Sequence, residues 1–135
     1  MGYKIFISHA WADRWLASQI ERRVRALGAE TFMDTNDIEK GDDIEDRIFT
    51  ELPKCDELFA LFTPWAIDRN WLWVEIGAAR GLGLRIVTAL YSVALSTIDA
   101  ERGGLAFLKA KNAVDINDLE SYFDELKDRL EKVRP

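Results

Sequence analysis

Trp71 and Glu75 form the most chemically suggestive pair in the chain. Four positions apart, they share one face of a helix. That helix would open just past a buried strand, residues 57–62, and lead into another, residues 85–90. Open α/β sheets keep their ligand crevices at the carboxyl ends of strands. A carboxylate beside an indole suits a cationic sugar transition state flanked by a flat ring. The plain alternative is a solvated glutamate near a helix N-terminus, which the helix dipole favours anyway. Spacing alone leaves both open.

Other constellations carry less. The chain has one histidine, His9, and one cysteine, Cys55, so no His/Cys cluster exists for a transition metal. No catalytic triad surrounds His9, which reads as a structural or cleft-lining residue. Asp34, Asn36 and Asp37 invite calcium, but Ile38 and Glu39 fall where the EF-hand loop needs an oxygen ligand and a glycine. No metal is expected. Gly77, Gly81 and Gly83 leave a helix and enter a strand, the reverse of a dinucleotide fingerprint. Helix packing and a C-terminal cap account for them.

Periodicity gives the secondary structure around Glu75. Residues 3–7 read as a first buried strand. Asp13 opens an amphipathic helix through Leu27, with Trp15, Leu16, Ile20 and Val24 at helical spacing and Gly28 as its stop. A second strand spans residues 30–33. A polar loop, residues 34–41, leads to a helix capped by Asp42 with Glu45 and halted at Pro53. The third strand ends at Thr63-Pro64, and the helix of Trp71 and Glu75 runs to about Arg80. A short helix near residues 105–109, a fifth strand over 113–116 and a last helix over 119–133 complete the pattern. Asn117 with Glu120 reads as a second capping box.

This alternation implies an α/β fold with a parallel sheet and helices on both faces. Five strands in this length predict flavodoxin-like order 2-1-3-4-5, with the crevice outside strands one and three. Those ends hold Ser8-His9-Ala10-Trp11 and Thr63-Pro64. A phosphate-accepting regulator of similar architecture would need an acidic pair and an aspartate there. A flavodoxin would need a Ser/Thr-rich phosphate loop.

Composition sets bounds. The chain of 135 residues is the size of one domain, taken as 1–135, with 48% apolar residues and five tryptophans to build a core. A formal charge of −6 argues against a nucleic-acid partner. No apolar run is long enough to span a bilayer, and no membrane partner is expected. A single cysteine fits a reducing, cytoplasmic compartment.

Phe6-Ile7-Ser8 in strand one, Phe32-Met33-Asp34 in strand two, Asp37-Ile38-Glu39-Lys40-Gly41 in the loop, and Trp71 with Glu75 occur in an order that resembles a Toll/interleukin-1 receptor (TIR) domain. The resemblance covers about residues 3–134. It is nearest to the NAD-cleaving TIR proteins of bacteria. It implies that Glu75 is the catalytic carboxylate and that Trp71 shapes the pocket. Ser8, His9, Ala10, Trp11 and Thr63 then line the substrate site at the strand ends, joined by Asp34 and Glu39 from the loop. Two features depart from the pattern. Asp37 stands where some active relatives carry a basic residue, and Arg69 and Leu72 replace a Ser and a Cys around the tryptophan.

The implied reaction is cleavage of the nicotinamide–ribose bond of NAD+, which is substrate, with no cofactor. Nicotinamide leaves neutral and needs no general acid. One carboxylate then suffices to stabilise the oxocarbenium-like ribose, unlike the carboxylate pair of ordinary glycosidases. Attack by water gives ADP-ribose; attack from within the molecule gives a cyclic isomer. The resemblance also implies prokaryotic immune signalling of the antiphage kind, and self-association or binding of other TIR domains. The alternative is a non-catalytic TIR interaction module.

Overall fold

The computed structural model describes residues 2–33, 47–67, 69–94 and 113–133. The expected loop 34–41 and its residues Asp34, Asp37 and Glu39 lie outside that set. So do the Asp42/Glu45 cap and the short helix near 105–109.

Five strands form one parallel sheet in the order β2-β1-β3-β4-β5. They are β1 Lys4–Ser8, β2 Glu30–Phe32, β3 Glu57–Phe62, β4 Arg85–Leu90 and β5 Ala113–Asp115. The order is the one expected from the sequence. β3 is central and wholly buried, which is why it reads as a continuous apolar run instead of an alternating one.

Among the described residues three α-helices flank the sheet: α1 Arg14–Ala26, α2 Asn70–Gly81 and α3 Leu119–Val133. Side chains of a strand alternate between faces, and here each face has its own helices. Phe6, Leu58, Ala60, Phe62 and Leu90 pack with Leu72, Ile76 and Ala79 of α2. Ile5, Ile7, Phe59, Leu61, Val87 and Ala89 pack on the opposite face with Ala17, Ile20 and Val24 of α1 and with Tyr122, Phe123, Leu126 and Leu130 of α3.

The stops of α1 and α2 are alike. Gly28 and Gly83 take φ of 108° and 74°, the left-handed conformation that glycine adopts without penalty. Gly28 N–H donates to Arg25 O and Ala29 N–H to Val24 O; Gly83 N–H donates to Arg80 O and Leu84 N–H to Ala79 O. Both are paired C-terminal caps that satisfy the last carbonyls of a helix.

Local corrections have physical causes. A 3-10 turn, Trp11–Asp13, precedes α1. Asp13 makes no side-chain cap at the helix it was expected to open, because its carboxylate is engaged elsewhere. The segment before β3 is a π-helical turn, Arg47–Glu51, followed by a 3-10 turn, Leu52–Lys54. Pro53 stands in the first positions of that last turn, where its missing N–H costs nothing. The expected Asn117/Glu120 cap is replaced. The Asp115 carboxylate accepts from Asn117 N–H at 2.9 Å and caps a 3-10 turn, Ile116–Asp118, ahead of α3. Glu120 instead pairs with Arg23 at 2.7 and 2.8 Å, tying α3 to α1. No helix among the described residues is long and apolar enough to cross a membrane.

Candidate active site

Glu75 lies on α2 with 0% of its surface exposed. The solvated helix glutamate, one of the two readings open to the sequence, is therefore excluded. Three apolar neighbours on the helix, Leu72, Ile76 and Ala79, fix the buried face. The indole N–H of Trp73 donates to Ile67 O at 3.0 Å, and its ring lies 5.1 Å from that of Phe62. These contacts seat α2 over the carboxyl end of β3.

A partner of Glu75 comes from β1. Alternation puts Ser8 on the same face as Phe6, the face that α2 covers. The Ser8 hydroxyl donates to Glu75 Oε1 at 2.6 Å, and Ser8 is itself 2% exposed. A hydroxyl donor on a carboxylate is charge-assisted, and such bonds are short. Trp71, one helical turn before Glu75, is partly buried against the same cluster.

Thr63 belongs to the other face. One residue past β3, it has the parity of Phe59 and Leu61, which face α1 and α3. Its hydroxyl donates to Asp13 Oδ2 at 2.5 Å and accepts from Ala66 N–H at 3.2 Å. Thr63 is buried and joins the turn after β3 to the turn after β1. Burial pushes the Asp13 carboxyl above its ordinary value, and the donated Thr63 hydrogen bond opposes the shift.

Asp13 is the residue that sequence reasoning missed. Its position at a helix start was visible, but that position suggests a cap, not a buried carboxylate. No local signal announced its partner, fifty positions away.

The remaining expected site residues divide by exposure. His9 and Ala10 are buried. Trp11 is 42% exposed and carries the Arg14 guanidinium 4.1 Å over its ring. The structure thus joins Ser8 directly to Glu75, stations Trp71 on the same helix, and engages Thr63 with Asp13. Arg69, exposed at the start of α2, donates from Nε to Trp65 O at 3.4 Å. Among the described residues no group of three or more His, Cys, Asp or Glu is placed to hold a metal ion.

A groove of about 420 Å³ between α1 and α3, lined by Leu16, Ile20, Ile116 and Phe123, contains neither Ser8 nor Glu75. Its rim is the exposed Arg23–Glu120 pair, which offers no buried carboxylate for catalysis.

Chemically, the pair on α2 and β1 is a single buried carboxylate with a fixed hydroxyl donor. Such a group stabilises developing positive charge.

A family model for the TIR domain matches residues 5–130. A probable 2′ cyclic ADP-D-ribose synthase from Brachypodium distachyon is 25% identical over 131 residues, which cover 84% of this chain and 58% of that protein. The chain thus spans less than two thirds of that relative's length. The TIR domain of the Toll-related receptor TRR-2 from Hydra magnipapillata matches with a TM-score of 0.66 at 19% identity, over 94% of this chain and 96% of that one. The TIR domains of the activated Roq1 resistosome, which directly recognizes the pathogen effector XopQ, match with a TM-score of 0.62 at 19% identity, over 97% and 82%. At that identity the likeness is one of fold.

Proposed function

The chain belongs to the TIR domain family, and from that premise we propose that it is an NAD+ glycohydrolase or cyclase with Glu75 as its catalytic carboxylate. The observation that carries the reading is the buried, hydrogen-bonded Glu75 four residues after Trp71 on the helix at the end of β3. The curated relative, named as a probable synthase of a cyclic ADP-ribose, supports the same reaction class.

NAD+ carries a pyridinium, so nicotinamide departs neutral when its bond to ribose breaks. The ribose is left oxocarbenium-like, and the Glu75 carboxylate stabilises that charge. Trp71, joined by Trp11, walls the nicotinamide side and keeps water away. His9 and Ala10 shape the floor at the end of β1. The sequence resemblance assigns Asp34 and Glu39 to the same substrate site. Water yields ADP-ribose; a nucleophile within the same molecule yields a cyclic isomer. The relative's name favours the cyclic product. Glu75 has no exposed surface, so substrate reaches it only when the side chains around it move apart. We place this activity in prokaryotic immune signalling in the cytoplasm, on the sequence resemblance, with self-association as the means of control.

A second reading is a TIR interaction module without catalysis. The zero exposure of Glu75 favours it, since a carboxylate that only ties α2 to β1 would be buried in the same way. Incubating concentrated protein with NAD+ and separating the products decides between them. Release of nicotinamide by wild type, lost in Glu75→Gln, supports the enzyme. No turnover by wild type at any concentration rejects it.

A further inference from the structure

We propose that Ser8 is a positioning residue for Glu75, acting on the carboxylate and not on the substrate. The inference rests on the reading of Glu75 as the NAD-cleaving group, and it changes the role expected of Ser8 from the sequence.

A serine hydroxyl has one proton to donate. Here that proton goes to Glu75 Oε1, at 2.6 Å, between two side chains closed to solvent. It is therefore not offered to a ribose hydroxyl. Both ends of the contact stand on rigid elements. Ser8 closes β1 and is in register with Ala60 of β3. The backbone of Glu75 is held by Leu72, Ile76 and Ala79 in the core and by the Trp73 indole on Ile67 O.

Those contacts fix the helix backbone; the Ser8 hydroxyl acts on the carboxylate itself and restricts its torsion. Holding Oε1 sets where Oε2 stands, so the carboxylate meets the developing charge in one orientation. Such preorganisation acts on the transition state more than on substrate binding. The same partner keeps the Glu75 carboxylate solvated by a protein dipole in a place water does not reach.

The test uses wild type, Ser8→Ala and Ser8→Thr, with Glu75→Gln to assign the carbon-13 resonance of the Glu75 carboxylate. Kinetics with NAD+ and the carbon-13 spectrum of the protein without NAD+ are recorded on all of them. Ser8→Ala should lower kcat about 10- to 100-fold, as loss of a partner that orients a site ligand does. KM should change little, while the unfolding midpoint should fall, because the buried Glu75 carboxylate loses a donor. The carboxylate resonance should move in Ser8→Ala and return toward its wild-type position in Ser8→Thr, together with most of kcat. A loss confined to KM would make Ser8 a substrate ligand and overturn the proposal. An unmoved resonance would overturn it too. If wild type cleaves no NAD+, the reading of the reaction fails separately. A resonance that moves in Ser8→Ala and returns in Ser8→Thr would still establish the tether.

Discussion

Glu75 and Asp13 are both buried carboxylates that accept one hydroxyl, yet they sit on opposite faces of the sheet and invite different tests. For Glu75 the charge is the point. Glu75→Gln keeps size and hydrogen-bonding shape, so the fold should persist while NAD+ cleavage falls about 100- to 1,000-fold, the scale of losing one key electrostatic group. Equal turnover by wild type and variant would remove Glu75 from the chemistry. For Asp13 the burial is the point. Its ordinary value lies near 3.8 and the folded protein raises it. A raised carboxyl means that the native state binds the proton more tightly than the unfolded chain does. The stability this contributes is full below about 3.8 and is lost as pH rises through the native value. Asp13→Asn does not titrate there. Urea melts from acid to neutral pH should show the variant gaining on wild type as pH rises through that window. A gap that widens in favour of wild type with rising pH would contradict the assignment.

At the scale of elements, α3 is held to the sheet by more than apolar packing. Glu57, the first residue of β3, is fully buried and faces α3 by the parity of its strand. It accepts from the Tyr3 hydroxyl at 2.7 Å, from Arg129 Nη2 at 2.9 Å and from the Tyr122 hydroxyl. Burial, reinforced by the Glu57 charge, holds both tyrosine hydroxyls well above their usual range, so they remain donors. Two of the three donors come from α3. Removing one partner of a buried ion pair leaves the other charge uncompensated. Arg129→Met should therefore cost about 3 kcal/mol, the lower end for breaking such a pair, since the arginine keeps some exposure. Tyr122→Phe keeps the ring packing on Phe59 and should cost about 1–2 kcal/mol for one lost donor. Chemical denaturation measures both. A neutral Arg129→Met would mean that the pair is no tie. This cluster lies at the amino edge of β3, roughly 16 Å from its carboxyl edge by strand geometry. Changes in it should leave catalysis intact in whatever fraction stays folded.

For the whole molecule, the closed state of the site sets the expectation. Glu75 is inaccessible as it stands. Something must favour the open arrangement, and a contact between copies can do so only if it binds that arrangement more tightly. On that argument NAD+ cleavage per molecule should rise with protein concentration. A head-to-tail contact would extend into filaments, whereas a two-fold contact would stop at dimers. Specific activity over a wide dilution series, with light scattering on the same samples, distinguishes them. Constant activity per molecule in a strictly monomeric sample would rule out assembly as the control.

Much of the fold was legible because its signals are local. The apolar runs of β3 and β4 have the bounds expected of them, and so does α3. Gly28 marks the end of α1 because the left-handed cap favours glycine. Strand order is the flavodoxin-like one expected of five strands alternating with helices in this length. The Trp71/Glu75 pair was legible for the same reason, since one helical turn is short-range. What stayed hidden was every contact between residues far apart in the chain. Ser8 and Thr63 looked like neighbours in one crevice because both end adjacent parallel strands. Strand parity and helix placement send them to opposite faces, Ser8 to Glu75 under α2 and Thr63 to Asp13 at α1. Sequence alone was enough for the bounds of β3, β4 and α3 and for the helical pairing of Trp71 with Glu75. Which face each helix covers emerges from the assembled fold, and with it the burial of Glu75, its bond from Ser8, and the enclosure of Asp13 and Glu57. The physical reason is that a buried polar group is stable only with its partner in place, and partners from β1 and α2, or β3 and α3, meet only when the sheet has closed between them.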